Sequence, residues 1–263
     1  MRDSERGQAT VEWSGLGVML ALLFATVAFT VARTDAWSFG EGIVHSLVCA
    51  IDGGCEERDS LDLAYGDDVA ALVRHYSPNV VYERSSAALP IDFRRCRETD
   101  CSDGADAARE IDRSRAGLPV TAFTRVVDRR AAGGPLYLQY WFYYPESFSG
   151  GIGRMFGDKW PGFHPDDWEG YQVRVLPGGR ASARATAHGG YGAGWEPWTG
   201  WMRVSGGSHA GHLVERSTGE RSTSAGKIAL VPLERLKGAS RHSFAVSPPW
   251  NKDVYRAPEA AGS

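Results

Sequence analysis

The chain has no excess of positive charge and no cluster of lysine and arginine, and its 263 residues carry a formal net charge of −3. Contact with the phosphates of nucleic acid depends on a basic patch or stripe, so we expect no nucleic-acid partner. The chain also lacks the Gly-x-Ser-x-Gly turn that exposes the nucleophile of many serine hydrolases. It lacks the two-residue cysteine spacing of structural zinc sites as well.

Cysteine is scarce, and the four cysteines form two close couples, Cys49 with Cys55 and Cys96 with Cys101. Four cysteines can pair in three ways, and the sequence alone does not choose among them. We favour a disulfide within each couple because either spacing closes a small loop. Reduced thiols would be equally compatible with a cytosolic protein, but the amino-terminal segment favours an oxidising location outside the cytoplasm.

The amino terminus carries one long uncharged run, at 13–32, which is close to the ~20 residues that a helix needs to cross a bilayer. We therefore predict a single-pass protein of the cell membrane with its carboxy-terminal domain outside the cytoplasm. The predicted parts are a leader at 1–12, a transmembrane helix at 13–33, a juxtamembrane spacer at 34–60 and an extracytoplasmic domain at 61–263. A cleaved secretory signal is the alternative, although this run exceeds the ~7–15 apolar residues of such signals.

The leader Gly7-Gln8-Ala9-Thr10-Val11-Glu12 resembles that of type IV prepilins and TadE-like pilus proteins. In that family a membrane peptidase cleaves after the glycine, so the resemblance implies cleavage between Gly7 and Gln8 and a retained membrane anchor. It places Glu12 at the edge of the helix, where an acid is costly, and it implies partners in a pilus or secretion machinery. A glutamate that only reaches the membrane interface is the alternative.

The remainder of the chain indicates a mainly β fold with one short amphipathic helix. Hydrophobic residues make up 43% of the sequence, enough for a full core. The helix is predicted over 61–76, before Pro78. Short apolar segments between Gly, Pro and Asp clusters then favour an antiparallel β sandwich. The segment 136–144 is apolar or aromatic on both faces, so we expect a central strand that is covered on each side.

The acidic segment 164–169, His-Pro-Asp-Asp-Trp-Glu, leads directly into an apolar strand. Because side chains alternate along a strand, Asp167 and Glu169 share a face with Tyr171 and Val173, the face expected to be buried. A carboxylate taken out of water costs several kcal/mol unless it is compensated. The partner is a cation, a metal ion or a set of hydrogen-bond donors, and the nearby candidates are His164, His188, His209 and His212. The alternative to a metal is a network of ion pairs with Arg154, Arg174 or Arg203.

We predict a divalent-metal site and a neighbouring ligand-binding site. Oxygen ligands suit magnesium or calcium, and a histidine admits manganese or zinc. Glycines beside His188 and His209 let the backbone approach a ligand, and a tryptophan can stack on a sugar ring. The predicted metal ligands are His164, Asp167, Glu169 and Glu146, and the predicted ligand-binding residues are Asp166, His188, His209 and Trp195.

Four segments together resemble proteins related to the vacuolar protein sorting protein sixty-two, in order and spacing, over about 77–258. The segments are 138–145, the Asp-Trp-Glu at 167–169 behind His164, Ala-His-Gly-Gly at 187–190 and Gly-Ser-His-Ala at 207–210. The resemblance implies a β-rich fold more than an activity.

A more distant likeness is to the necrosis- and ethylene-inducing cytolysins, secreted β sandwiches with a Gly-His-Arg-His-Asp-Trp-Glu motif. That motif binds a divalent cation that helps to engage sphingolipid headgroups. His164, Asp167 and Glu169 match motif positions, whereas Asp166 replaces the second histidine and Phe163 the glycine. The likeness implies metal binding more than cytolysis.

Three functional hypotheses follow from the sequence. The first is a membrane-anchored domain that binds a glycan or lipid headgroup through a divalent metal. The second is a hydrolase of a phosphoester or glycoside in which the metal activates water. The third is a minor pilin or a pilus-assembly component.

Overall fold

The computed structural model describes most of the carboxy-terminal part of the chain. The described residues are 60–84, 88–104, 109–148, 162–187, 190–192, 194–216 and 220–233, with Pro249, Lys252, Tyr255 and Pro258. They belong to one compact unit, Asp59–Ser263. Within them no helix is long and apolar enough to cross a membrane. The predicted leader and transmembrane helix lie outside the described residues, as do Gly7, Gln8, Glu12, Cys49, Cys55 and His188.

The predicted amphipathic helix is two helices, α1 (Ser60–Tyr65) and α2 (Asp67–His75). They are separated at Gly66, whose φ of 76° is left-handed and therefore incompatible with a continuous right-handed helix. A third short helix, α3, spans Thr99–Ser102. The prediction of a single helix was wrong because the apolar spacing continues across the glycine.

The described residues form eleven strands in two sheets. The strands are β1 (Asn79–Tyr82), β2 (Thr121–Asp128), β3 (Leu136–Phe148), β4 (Phe163–Val175), β5 (Ala181–Ala187), β6 (Gly190–Tyr191), β7 (Glu196–Pro197), β8 (Trp201–Val204), β9 (Gly211–Leu213), β10 (Arg221–Thr223) and β11 (Ala229–Pro232). The four-stranded sheet has the order β10-β1-β8-β9. The seven-stranded sheet has the order β11-β2-β3-β4-β5-β6, with β7 paired to β5.

The fold is mainly β, as predicted, but both sheets are mixed. Strand β1 runs parallel to β8, and β11 runs parallel to β2, whereas the other neighbours are antiparallel. The parallel pairs join strands that are far apart in the sequence, such as Asn79 with Trp201. Short turns between neighbouring segments indicate only antiparallel pairing, which is why a purely antiparallel arrangement was expected.

Strand β3 is the central strand that its composition predicts. It lies between β2 and β4, and every residue from Leu136 to Phe148 is buried except Glu146. Tyr140 and Tyr144 contribute to a hydrophobic cluster that also contains residues of the four-stranded sheet. Trp141 and Tyr143, on the opposite face, belong to a second cluster with aromatic residues of other segments. The two faces of one strand therefore help to build two cores.

The second core lies beside a disulfide. Cys96 and Cys101 are bonded, with their Cα atoms 6.3 Å apart, as predicted for this couple. Both cysteines pack against the cluster that contains Phe93, Phe123 and Tyr143. The disulfide thus anchors the 96–101 loop against one face of the large sheet.

Gly170 in β4 provides a test of this packing. An added Cβ at this position would lie 2.8 Å from Cζ3 of Trp141 and 3.1 Å from Cγ2 of Thr186. We expect Gly170→Ala to lower the free energy of unfolding by about 1–3 kcal/mol, the usual cost of overpacking a core. Urea denaturation measures this loss in the free energy of unfolding. Gly194→Ala is the control, because no atom lies within 4 Å there; equal losses in both variants would contradict the packing described.

Candidate functional site

Asp167 and Glu169 lie inside the sheet, as their alternation with Tyr171 predicts. Each is 6% exposed. In the β3–β4 register, Asp167 faces Tyr144 and Glu169 faces Phe142. Within the described residues neither carboxylate is paired with an arginine. Of the arginines considered from the sequence, Arg174 bonds to Ser182 and Arg203 to Glu83, and Arg154 lies outside the described residues.

The partner of Asp167 is His209. Nδ1 of His209 donates to Oδ2 of Asp167 at 2.9 Å, and the histidine is only 3% exposed. Its ring stacks on the ring of Tyr144, with centroids 4.0 Å apart and planes within 2° of parallel. The hydrogen bond and the stacking together fix the ring, so that Nε2 is the nitrogen left to exchange a proton.

His209 lies in a loop of the four-stranded sheet, and this loop places its ring beside Asp167. The loop joins β8 to β9, and it is attached to the end of β3 because N–H of Phe148 donates to the carbonyl oxygen of Gly207 at 2.8 Å. Gly207 has a φ of 80°, and a Cβ there would lie 2.7 Å from the carbonyl oxygen of Phe148. Only glycine fits this contact. N–H of Gly206 donates to Oε2 of Glu83 at 2.8 Å, which attaches the loop to β1 as well.

Glu169 lies in an environment that disfavours its ionisation. Its carboxylate accepts a hydrogen bond from Oγ1 of Thr186, and that oxygen also accepts N–H of Gly170 at 2.6 Å. Burial, and then the negative charge of Asp167, raise the pKa of Glu169 well above its ordinary value, against smaller lowering effects of Thr186 and Lys252. The two acids therefore differ in their partners, an imidazole for Asp167 and a hydroxyl for Glu169.

The backbone is strained at two points of this region. Within the described residues, Asp166 and His209 are the non-glycine residues with left-handed φ, at 54° and 53°. Such conformations are uncommon outside glycine and often accompany functional sites. Asp166 immediately precedes Asp167 in the chain, and His209 is the hydrogen-bond partner of Asp167. Both strained residues are therefore next to the carboxylate of Asp167.

The other predicted metal ligands lie at the edge of this cluster. Nε2 of His164 is 3.9 Å from Oδ1 of Asp167, and its side chain is 55% exposed. Glu146 is half-buried and faces Pro165, one pair farther along the two strands. The structure therefore brings His164 beside Asp167 and places Glu146 at the same end of the sheet.

The three predicted ligand-binding residues that the structure describes, Asp166, His209 and Trp195, lie at different places along the large sheet. Asp166 pairs with Tyr143 and Arg97, on the opposite face of β4 from Asp167. Trp195 packs against the guanidinium group of Arg174 at 4.5 Å. Arg174 is seven residues along β4 from Asp167, which corresponds to roughly 23 Å of strand. Trp195 therefore lies far from Asp167, and its role in binding a ligand stays a prediction.

Sequence reasoning missed Thr186, Tyr144 and Arg97. Thr186 reaches Glu169 only through the β4–β5 register, and nothing in its own neighbourhood marks it. Tyr144 and Tyr143 were assigned to the core alone. Their position directly before the Pro145-Glu146 end of the central strand was the signal that could have linked them to the acidic segment.

The described residues contain no group of three or more His, Cys, Asp or Glu side chains that could hold a metal ion. Asp167 and His209 are directed at each other, and Glu169 is directed at Thr186. The divalent-metal site therefore stays a prediction, and we derive no chemical step from it.

Comparisons of the chain with known protein families, with curated proteins and with solved structures return no match. The resemblances of the leader and of the β domain stay predictions for that reason. Function is argued below from the geometry of the site.

The metal prediction has a direct test. A cation at 100 times its Kd would stabilise the fold by about 2.7 kcal/mol and raise the Tm. Replacing both acids, Asp167→Ala with Glu169→Ala, should abolish that rise. Thermal unfolding with and without calcium, magnesium, manganese or zinc provides the measurement. If no cation shifts the Tm of the unaltered protein, the metal prediction is wrong.

The raised pKa of Glu169 predicts how stability changes with pH. A raised folded pKa means that the stabilisation is complete below the unfolded pKa of about 4.3 and is lost as pH rises through the folded pKa. The slope for one group reaches at most about 1.4 kcal/mol per pH unit. Glu169→Gln mimics the protonated acid, so its stability should fall less with rising pH.

Urea denaturation across this pH range measures the effect. Glu146→Gln is the control, because it removes a carboxyl group at the same end of the sheet. Parallel pH profiles for the unaltered protein and Glu169→Gln would show that Glu169 is ionised in the fold.

Proposed function

We propose that this domain is a hydrolase in which Glu169 is the general acid and His209, oriented by Asp167, is the general base. The observation that carries the proposal is a buried carboxyl group of raised pKa, Glu169, two residues from a carboxylate that holds an imidazole. Environments that push the pKa values of neighbouring groups apart are typical of acid–base sites. In this proposal the two sheets are the two layers of the predicted β sandwich. They would hold the site between β4 and the β8–β9 loop.

The chemistry uses one water molecule and two proton transfers. Nε2 of His209 takes a proton from the water as its oxygen bonds to the reacting phosphorus or anomeric carbon. Glu169 gives its proton to the oxygen of the departing alcohol as that bond breaks. Asp167 accepts Nδ1–H throughout and stabilises the imidazolium that forms. Proton exchange with solvent then restores Glu169 and His209.

The substrate class is a phosphoester or a glycoside. Both release an alcohol whose oxygen must gain a proton, which is the task of a protonated Glu169. If the amino-terminal helix anchors the chain as predicted, the substrate lies outside the cytoplasm. The pilin hypothesis rests on residues outside the described part of the chain.

Binding without turnover is the second candidate. The exposed imidazole of His164 stands 3.9 Å from Oδ1 of Asp167 and offers a donor and an acceptor at the edge of the buried pair. Such an edge suits the hydroxyl groups of a glycan or lipid headgroup, with or without a divalent cation.

A panel of chromogenic phosphomonoesters, phosphodiesters and glycosides tests the hydrolase. We expect turnover by the full chain, and a loss of about 10²–10⁴-fold in kcat for Glu169→Gln and for His209→Ala, the usual contribution of general acid–base groups. The pH profile should be bell-shaped, since one group must be protonated and the other not.

His212→Ala is the matched control. His212 lies in β9, and its Nε2 is 2.9 Å from Oγ of Ser205, so its loss leaves the Asp167–His209 pair intact. No turnover of any panel member by the unaltered protein, together with saturable binding of glycans or lipid vesicles, would contradict catalysis and favour the second candidate.

A further inference from the structure

The 96–101 loop reaches the acidic strand through Arg97. Nη2 of Arg97 donates to Oδ1 of Asp166 at 2.7 Å, and its Nε donates to the same oxygen at 3.2 Å. The hydroxyl of Tyr143 also donates to that oxygen, at 2.7 Å. Asp166 is 8% exposed. The disulfide loop thus supplies the cation that this buried carboxylate requires.

Asp166 and Asp167 are fastened on opposite faces of β4. Asp166 is held by Arg97 and Tyr143 on one face, and Asp167 is held by His209, stacked on Tyr144, on the other. The two aspartates share a peptide bond. The orientation of Asp166 therefore determines where the side chain of Asp167 begins, and a change at either residue alters the other.

The left-handed backbone at Asp166 makes this coupling strong. A φ of 54° is unfavourable for aspartate and persists only while surrounding contacts hold it. Arg97 and Tyr143 are the contacts that the structure shows for this side chain. Without the guanidinium group, the buried carboxylate would keep only the hydroxyl of Tyr143 and would have no cation, so we expect the strained backbone at Asp166 to relax.

We propose that Arg97 is a positioning residue for the Asp167–His209 pair, and that the Cys96–Cys101 disulfide makes this positioning sensitive to redox state. Arg97 directly follows Cys96, so the disulfide fixes the start of the side chain that holds Asp166. A dithiol reductant converts the disulfide into two cysteine thiols and is itself oxidised to a disulfide. The opened loop then releases Arg97. The effect on catalysis rests on the proposed function, whereas the effect on geometry does not.

The hydrogen-bonded Nδ1 proton of His209 is the probe. Its proton NMR signal and its rate of exchange with solvent report the bond to Asp167 directly in the full chain. We expect Arg97→Gln and the double variant Cys96→Ser with Cys101→Ser to increase the exchange rate at least tenfold. Arg97→Lys should restore part of the protection, because a cation returns to Asp166.

Arg94→Gln is the matched control. Arg94 forms an ion pair with Asp92 at 2.6 Å, just before the disulfide loop, and does not touch Asp166. A dithiol should act on the unaltered protein as Arg97→Gln does, and it should have no further effect on the Cys96→Ser, Cys101→Ser variant. Backbone amides of β2 serve as the reference for general loosening of the fold.

Two results would overturn the proposal. One is an Nδ1 exchange rate unchanged by Arg97→Gln, and the other is an equal acceleration at the β2 amides, which would mean general destabilisation. Failure of the hydrolase proposal looks different: no substrate is turned over while the Nδ1 proton still responds to Arg97 and to the dithiol.

Discussion

The structure depends on burying two neighbouring carboxyl groups, Asp167 and Glu169, in one face of a sheet. Asp167 is hydrogen-bonded to His209, and burial together with the charge of Asp167 raises the pKa of Glu169. Ionised acids inside a sheet need compensation by cations or hydrogen-bond donors. The fold provides the imidazole of His209 and the hydroxyl of Thr186, and the charge of Lys252 partly offsets the rise in the pKa of Glu169. Strand β4 carries the two acids, β5 carries Thr186, and the β8–β9 loop carries His209, which stacks on Tyr144 of β3.

On the paired strands β3 and β4, adjacent residues point to opposite faces and therefore toward different cores. Tyr143 and Asp166 lie on the side of the disulfide loop, and Tyr144 and Asp167 lie on the side of His209. In the register of this antiparallel pair, Asp167 lies directly opposite Tyr144, whereas Asp166 lies diagonally across from Tyr143, whose direct partner is Trp168. Two chemically similar couples thus acquire different partners, an arginine on one face and a histidine on the other. The disulfide loop and the β8–β9 loop meet through one strand.

The sequence predicted the parts of this site that follow from alternation within a single segment. Burial of Asp167 and Glu169 beside Tyr171 follows from the two-residue period, and the central position of β3 follows from apolar residues on both faces. Among the candidate partners of these acids the sequence offered His209, which the structure places against Asp167. Sequence alone did not single it out from the other histidines, and it gave no sign of Thr186, because both residues reach the acids through pairings between segments. Ligand binding by Asp166 and Trp195 stays a prediction, and the structure places these two side chains away from Asp167.

The parallel pairing of β1 with β8 has a consequence for how the protein folds. Asn79 pairs with Trp201, so the strand that carries the His209 loop joins its sheet only after a very long loop of chain has closed. Contacts between residues so distant in the sequence slow folding. The large sheet is built mainly from hairpin-like neighbours β2 to β5 and can form earlier. We therefore expect Asp167 to be placed in the large sheet before His209 reaches it. The hydrogen bond between Asp167 and His209 would then form late in folding.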